Sequence, residues 1–217
     1  MADDPLGWQR QAEHLATQAI AADEPTAWFD RLYSAGRRGD VAMPWDKARP
    51  NQLLAGWARD RGVAGSGRRG VVVGSGLGQD SEFVAGLGFD TLAFDVSDTA
   101  VDVVRGRFPD SAVRYTVANL LALPGEWRRA FDLVVEIYTV QALPVALHEQ
   151  AIGAVASLVA PGGTLVVVAV RAAADPRRTP PPWPLTRAEV EAFGGHGLTA
   201  VGIERTGDHW LAEYQRR

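Results

Sequence analysis

Between Val71 and Phe83 the chain reads VVVGSGLGQDSEF, with three glycines at alternate positions between a valine run and a helical segment. Gly74, Gly76 and Gly78 let the backbone approach a ligand with no Cβ in the way. The spacing is not the dinucleotide pattern G-x-G-x-x-G, because the third glycine comes one place early and Gln79 stands where a small residue is needed. It is not a P-loop either, since the stretch lacks the Gly-Lys-Ser/Thr ending. Asp80 and Glu82 fall in the first turn of the next helix, where a pyrophosphate would accept from free backbone N–H groups; two carboxylates repel it. The same carboxylates equally suit helix capping and the helix dipole. A ligand with a sugar but no phosphate fits this turn. Asp95 ends the second apolar run, close to the spacing at which an acidic residue reaches ribose hydroxyls in doubly wound folds; the alternative is a cap for the helix that follows. Asn119 follows the third run, and its amide suits either an adenine edge or a turn. Together these residues suggest adenosine carrying a non-phosphate group.

Such residues need a sheet to carry them. From Gly70 onward, β-branched runs (GVVVG, TLAFD, AVRYTV, FDLVVEIY and GTLVVVAV) alternate with helices expected at Ser81 to Leu87, Thr99 to Phe108 and Pro144 to Val159. Continuously apolar strands are those buried on both faces, and the alternation builds a parallel sheet by right-handed crossovers. The prolines of AAADPRRTPPPWPLT exclude regular structure, so a loop is expected there. A short helix near Arg187 to Phe193 and two final runs, LTAVGIERTG and HWLAEYQRR, complete the chain as an antiparallel pair. The fold class is therefore α/β: a doubly wound, Rossmann-like, seven-stranded sheet, mostly parallel with a C-terminal antiparallel hairpin. Upstream, apolar residues recur at helical spacing from Leu6 to Ala22, and a second helix is expected from Pro25 through Ala35, broken by Gly36 and Gly39. A third starts at Asn51 as cap and runs to about Arg61. Residues 1–69 thus read as a helical cap on a core at 70–217, within one domain.

Composition narrows the partners. A hydrophobic content of 47% and no low-complexity region are those of an ordinary globular chain. A net charge of −4 leaves no broad cationic face for nucleic acid, and pairs such as Arg68–Arg69, Arg128–Arg129 and Arg177–Arg178 are expected to be solvated. With no cysteine, disulfides, thiolate nucleophiles and cysteine zinc sites are excluded, and no metal site is expected. The acidic, amphipathic N-terminus is not an export signal, no run has membrane-span length, and a cytoplasmic location is expected.

The core resembles the class I S-adenosylmethionine-dependent methyltransferases. The segment TAWFDRLYSAGRRGDVAMPWDKARPNQLL is similar to the opening of the thiopurine S-methyltransferase-like group, with its paired aromatics and P-W-D segment before the glycine motif. The resemblance implies S-adenosyl-L-methionine as cofactor and S-adenosyl-L-homocysteine as product. It implies that Gly74, Gly76 and Gly78 line the methionine part, that Asp95 takes the ribose, and that Asn119 with Leu120 takes the adenine. Trp28 and Trp45 would lie in a cap over the cofactor, and Ser75, Val96 and Glu136 complete the implied cofactor set. Val72 stands where the family carries an acidic residue, so the carboxylate for the methionine ammonium is sought elsewhere, at Asp80. The second aromatic of the cap pair falls at Leu32 or Tyr33.

Methyl transfer from a sulfonium gains mainly from alignment and exclusion of water. The EIYTVQALP segment follows the fourth strand at the edge where open α/β sheets place ligands, and it lacks the Asn/Asp-Pro-Pro-aromatic sequence of methyltransferases acting on nucleic-acid bases or protein amides. Tyr138, Thr139 and Gln141 are candidates to touch a small acceptor, or else they end a strand and begin a loop. Arg171 and Trp183 are expected to close the other side. No catalytic residue is assigned. His148 is expected to be a surface or packing histidine, and His196 and His209 single out no base. The expected function is methyl transfer to S or N of a small heteroaromatic or thiol compound, in specialised metabolism or detoxification, by a monomer or homodimer with no nucleic-acid or membrane partner. The alternatives are a small-molecule O-methyltransferase and a non-catalytic S-adenosylmethionine-binding regulator.

Overall fold

The computed structural model describes residues 7–172 and 181–217. Leu6, the Arg177–Arg178 pair and most of the expected proline-rich loop lie outside the described residues. Seven strands form one sheet: β1 (Arg69–Val73), β2 (Asp90–Asp95), β3 (Arg114–Val117), β4 (Phe131–Ile137), β5 (Val159–Val170), β6 (Leu198–Thr206) and β7 (His209–Arg216). Their order is β3-β2-β1-β4-β5-β7-β6. The first five run parallel, and β7 pairs antiparallel with both β5 and β6. The order reverses between β1 and β4, which opens a crevice at their carboxyl ends.

Each valine run serves two cores because successive side chains point to opposite faces. Val71 and Val73 join Phe94, Val134 and Val167 against α6 (His148–Leu158), whereas Val72 joins Ala93, Val135 and Val166. That second face is covered by α3 (Gln52–Asp60), α4 (Gln79–Gly86) and α5 (Asp98–Arg107), which supply Leu54, Trp57, Val84, Val101 and Val104. The cap is a separate cluster of α1 (Gly7–Ala21) and α2 (Ala27–Arg38), built on Ala12, Ala16, Ala19, Trp28 and Leu32. Asp30 fastens α2 to the sheet by accepting from Ser97 Oγ (2.7 Å) and Thr99 N (2.9 Å). Burial pushes the Asp30 carboxyl up, but the bonds from Ser97 and Thr99 outweigh it and hold it below the usual carboxylate range.

Some boundaries moved. Gly36 does not break α2; it lies inside the helix, where a Cβ would come within 2.9 Å of Met43 Cγ, and the left-handed Gly39 ends the helix instead. The expected helix from Pro144 opens with a 3₁₀ turn at Val145–Leu147, and α6 ends early enough for β5 to begin at Val159. A capping box between Thr186 and Glu189 starts α7 (Arg187–Ala192), and a 3₁₀ turn at Phe193–His196 follows.

His148 is buried as a packing residue. One ring nitrogen meets the Leu143 carbonyl at 2.9 Å and the other meets Glu189 Oε1 at 2.6 Å, which ties α6 to α7 and to the turn after β4. His148→Ala leaves those partners unsatisfied, so it should cost about 1–3 kcal/mol. Thermal denaturation should show a midpoint lowered by several degrees; an unchanged midpoint would deny this tie a structural role.

Candidate functional site

One cavity of about 1130 Å³ runs along the carboxyl edge of the sheet, under the cap. Its wall follows the strand order: Asp95 from β2, Gly74 to Leu77 after β1, Ile137 to Thr139 at the end of β4, Val170 from β5, His209 from β7 and Thr206 from β6. A single small-molecule site occupies about 300–1,000 Å³, so the volume suits two ligands side by side. Much of the wall is aromatic, from Trp8, Trp28, Phe29, Tyr33, Trp45, Phe94 and Tyr138, and such faces attract cations. Asp80 and Asp95 are the wall's carboxylates, while Lys47 and Arg49 are its exposed cations. Among the described residues no cluster of His, Cys, Asp or Glu is assembled to hold a metal ion. No helix among them is long and apolar enough to cross a membrane.

The glycine turn is fastened from below. Asp95, 6% exposed, accepts from Gly76 N through Oδ2 (2.9 Å) and from Ser97 N through Oδ1 (3.0 Å). Burial pushes this carboxyl up, and the bonds from Ser97 and Gly76 offset part of the rise. A Cβ on Gly76 would come within 2.8 Å of the Tyr33 hydroxyl, and one on Gly74 within 2.3 Å of Thr139 Oγ1. Tyr33 is half-buried near Asp95, and desolvation together with that negative charge raises its phenol well above the usual range. Arg107 grips Asp46 with two bonds of 2.7 and 3.0 Å, which holds the loop carrying Trp45 against the cavity. Asn119 takes the turn role: its side-chain oxygen accepts from Leu121 N (2.9 Å), while the residue still lines the cavity beside Leu120.

The other half is organised by Asn51. It caps α3, donates its backbone N–H to Asp80 Oδ1 (2.6 Å), and donates Nδ2–H to the Tyr138 hydroxyl (3.2 Å). Asp80 is pushed up by burial against that backbone bond, and burial likewise raises Tyr138. Tyr138 sits at φ +61°, a left-handed backbone uncommon for a bulky residue. Its ring faces His209, with centroids 5.7 Å apart. Below this turn, Glu136 accepts from Thr139 N (2.8 Å) and Val140 N (3.0 Å) through one oxygen, while the other is buried with no partner. Burial drives this carboxyl up to about 7, partly offset by the two backbone bonds.

Thirteen of the residues singled out by sequence line the cavity together: Trp28, Trp45, Gly74, Ser75, Gly76, Asp80, Asp95, Val96, Asn119, Leu120, Tyr138, Thr139 and Gln141. Four do not. Gly78 faces α5, where a Cβ would meet Val104 Cγ2 at 2.3 Å and the Tyr115 hydroxyl at 2.8 Å. Glu136 lies beneath the wall and staples the turn above it. Arg171 donates to the Gly207 carbonyl (2.9 Å) and stacks over Trp210, so it braces the hairpin rather than a ligand. Trp183 packs against the cap cluster, and its backbone N–H donates to the Gln141 carbonyl (2.7 Å); its neighbours Pro181 and Pro182 reach the wall instead. Gln141 lines the wall but spends its side-chain oxygen on Val170 N (2.6 Å). Sequence reasoning missed Asn51 as a wall residue and passed over His209. The hairpin held the signal for the latter, because a strand antiparallel to β5 places its first residue at the carboxyl edge.

The site also fits S-adenosylmethionine chemically. Carboxylates and aromatic faces suit a ligand bearing a sulfonium and an ammonium, and two wall residues, Trp28 and Ser75, keep Nε1 and Oγ buried without hydrogen-bond partners. Residues 71–163 match the methyltransferase domain family. No curated protein matches the chain. Among solved structures, the chain is similar to the Burkholderia thailandensis 1,6-didemethyltoxoflavin-N1-methyltransferase bound to 1,6-didemethyltoxoflavin and S-adenosylhomocysteine, at 16% identity and a TM-score of 0.67, over 94% of this chain and 90% of that one. It is similar to the [4+2]-cyclase SpnF at 16% identity and a TM-score of 0.69, over 88% of this chain and 96% of that one. A structure described for the conversion of a disulfide bond into a thioacetal group during echinomycin biosynthesis aligns at 19% identity and a TM-score of 0.70, over 87% and 93% of the two chains. These likenesses show the fold, and the family match covers residues 71–163 of it. Residues 71–163, less than half of the chain, thus match a methyltransferase domain, and the chain has the fold of solved S-adenosylmethionine-dependent methyltransferases.

Proposed function

We propose that the protein transfers a methyl group from S-adenosylmethionine to a nitrogen or sulfur of a small heteroaromatic or thiol compound. The observation that carries this reading is an aromatic-walled cavity, large enough for donor and acceptor together, running from Asp95 to His209. The Burkholderia N1-methyltransferase, which shares the fold, supports a planar nitrogen acceptor, and the likeness of the N-terminal segment to the thiopurine S-methyltransferase-like group supports sulfur. In this reading Asp95 takes the ribose hydroxyls, Gly74, Ser75 and Gly76 border the methionine part, Asp80 faces its ammonium, and Asn119 with Leu120 flanks the adenine. When bound, the cofactor supplies an electrophilic methyl on a sulfonium. The chain supplies alignment: Tyr138 and Thr139 orient the acceptor, and Trp28, Tyr33 and Trp45 keep water out. A monomer or homodimer in the cytoplasm, acting on a free small molecule, fits this reading.

The test is a panel of thiols, thiopurines, N-heterocycles and phenols with labelled cofactor, in which product mass identifies the methylated atom. Methylated heterocycles or thiols are expected. Product from phenols alone would make the enzyme an O-methyltransferase, and intact cofactor binding with no product from any member would favour a non-catalytic cofactor-binding regulator.

A further inference from the structure

Three of the four histidines are engaged away from the cavity. His14 bonds Gln18 on the exposed face of α1, His148 uses both ring nitrogens, and the His196 ring packs on Gly153 of α6. His209 lines the cavity and stands at the first position of β7, where it pairs with Val170 and Thr206, two further wall residues. The nearest ring is Tyr138, itself held by Asn51. Along the carboxyl edge, His209 stands three strands from Gly74, which at about 4.8 Å per strand is about 14 Å. The glycine turn and the imidazole therefore border one space, three strands apart along its wall.

Resting on the methyl-transfer reading, we propose that His209 is the proton acceptor for a planar, conjugated acceptor that bears an N–H or O–H at the edge away from the cofactor. The acceptor's lone pair at one edge forms the new bond to the methyl carbon as the carbon–sulfur bond breaks, leaving its electron pair on sulfur. Conjugation carries the resulting positive charge across the ring system to the far edge. There the N–H or O–H proton passes to the free lone pair of the His209 imidazole and from it to water, so the methylated product and the thioether both leave uncharged at the reacting atoms. Histidine is the side chain that makes and releases such a proton near neutral pH. The separation across the cavity selects the acceptor: an isolated thiol, whose proton sits on the reacting atom, gains nothing from a base three strands away.

The probes are 4-hydroxyquinoline, which carries a conjugated exchangeable proton, and thiophenol, which arrives ionised. His209→Ala and His209→Gln should each lower turnover of 4-hydroxyquinoline by about a hundredfold or more, the contribution of a general base. Both should leave thiophenol turnover within about threefold and calorimetric affinity for S-adenosylhomocysteine unchanged. Independently of turnover, the NMR signals of the His209 ring, identified by their loss in His209→Gln, should move when about 1 mM 4-hydroxyquinoline, the upper end of ordinary KM values, is added to the S-adenosylhomocysteine complex. Those of His14, His148 and His196 should not. A His209 ring unmoved by 4-hydroxyquinoline, or variants that lose both probes alike, would overturn the proposal. Native protein that fails to bind S-adenosylhomocysteine would instead sink the methyl-transfer reading itself.

Discussion

Asp95→Ala should weaken S-adenosylmethionine binding by about ten- to a hundred-and-fifty-fold, which corresponds to the roughly 1.5–3 kcal/mol of hydrogen bonds to a charged group. Each carboxylate oxygen already holds one backbone N–H, Gly76 on one side and Ser97 on the other, and keeps a lone pair for a ligand hydroxyl. The alanine variant therefore loses the ribose contact and slackens the glycine turn together. Asp95→Asn should recover little, because its amide NH₂ would face one of those two N–H donors. Calorimetry on the folded variants checks this, with a thermal melt to establish that they are folded. Unchanged affinity in Asp95→Ala would remove this residue from the cofactor site.

Glu136→Gln should stabilise the protein at alkaline pH. The carboxyl titrates at about 7 in the folded chain against an ordinary 4.5, because it is fully buried. Below about pH 4.5 it is protonated in both states and costs nothing. Between about 4.5 and 7 the folded chain keeps a proton that the unfolded chain has released, so stability falls as pH rises. Above 7 the loss levels off at about 3 kcal/mol. Glutamine keeps an oxygen for Thr139 N and Val140 N and carries no charge, so urea denaturation at pH 8 should show it more stable by up to about 3 kcal/mol, and near pH 4.5 the two proteins should be alike. A variant no more stable than the native protein at pH 8 would mean that Glu136 is not the buried, reluctant carboxylate its surroundings imply.

The parts legible in the sequence were those whose physics is local. Val71 to Val73, Val134 to Val135 and Leu165 to Val168 read as buried strands because each side chain is apolar whichever face it meets. Asp95 was legible as a residue of the carboxyl edge because it ends an apolar strand run just before a helix, and it lines the cavity there. Where a role depends on a distant partner, sequence gave no purchase. Nothing near Gly78 announces Val104 and Tyr115. Arg171 resembles a ligand-binding arginine until the β6–β7 turn brings Gly207 and Trp210 to it. Glu136 belongs to the cofactor set that the resemblance implies, but the backbone turns tightly enough after it for Thr139 and Val140 to claim the carboxylate. Asn51 was legible as a helix cap, and only the crossing of α3 over the β4 turn gives it Tyr138 as a second partner.

Gly76 and Gly78 stand two residues apart in one motif yet answer to different obligations. Gly76 faces the cavity, with Tyr33 opposite. Gly78 starts α4 at φ +91° with Val104 of α5 pressed against it. A descendant that abandoned its ligand and lost Tyr33 could let Gly76 drift to Asn or Asp, which tolerate its left-handed φ of +50°, whereas Gly78 would persist for as long as α5 packs there. In such a lineage the glycine pattern would decay from the ligand side, and the glycine still standing would record ancestry of fold after the chemistry had gone.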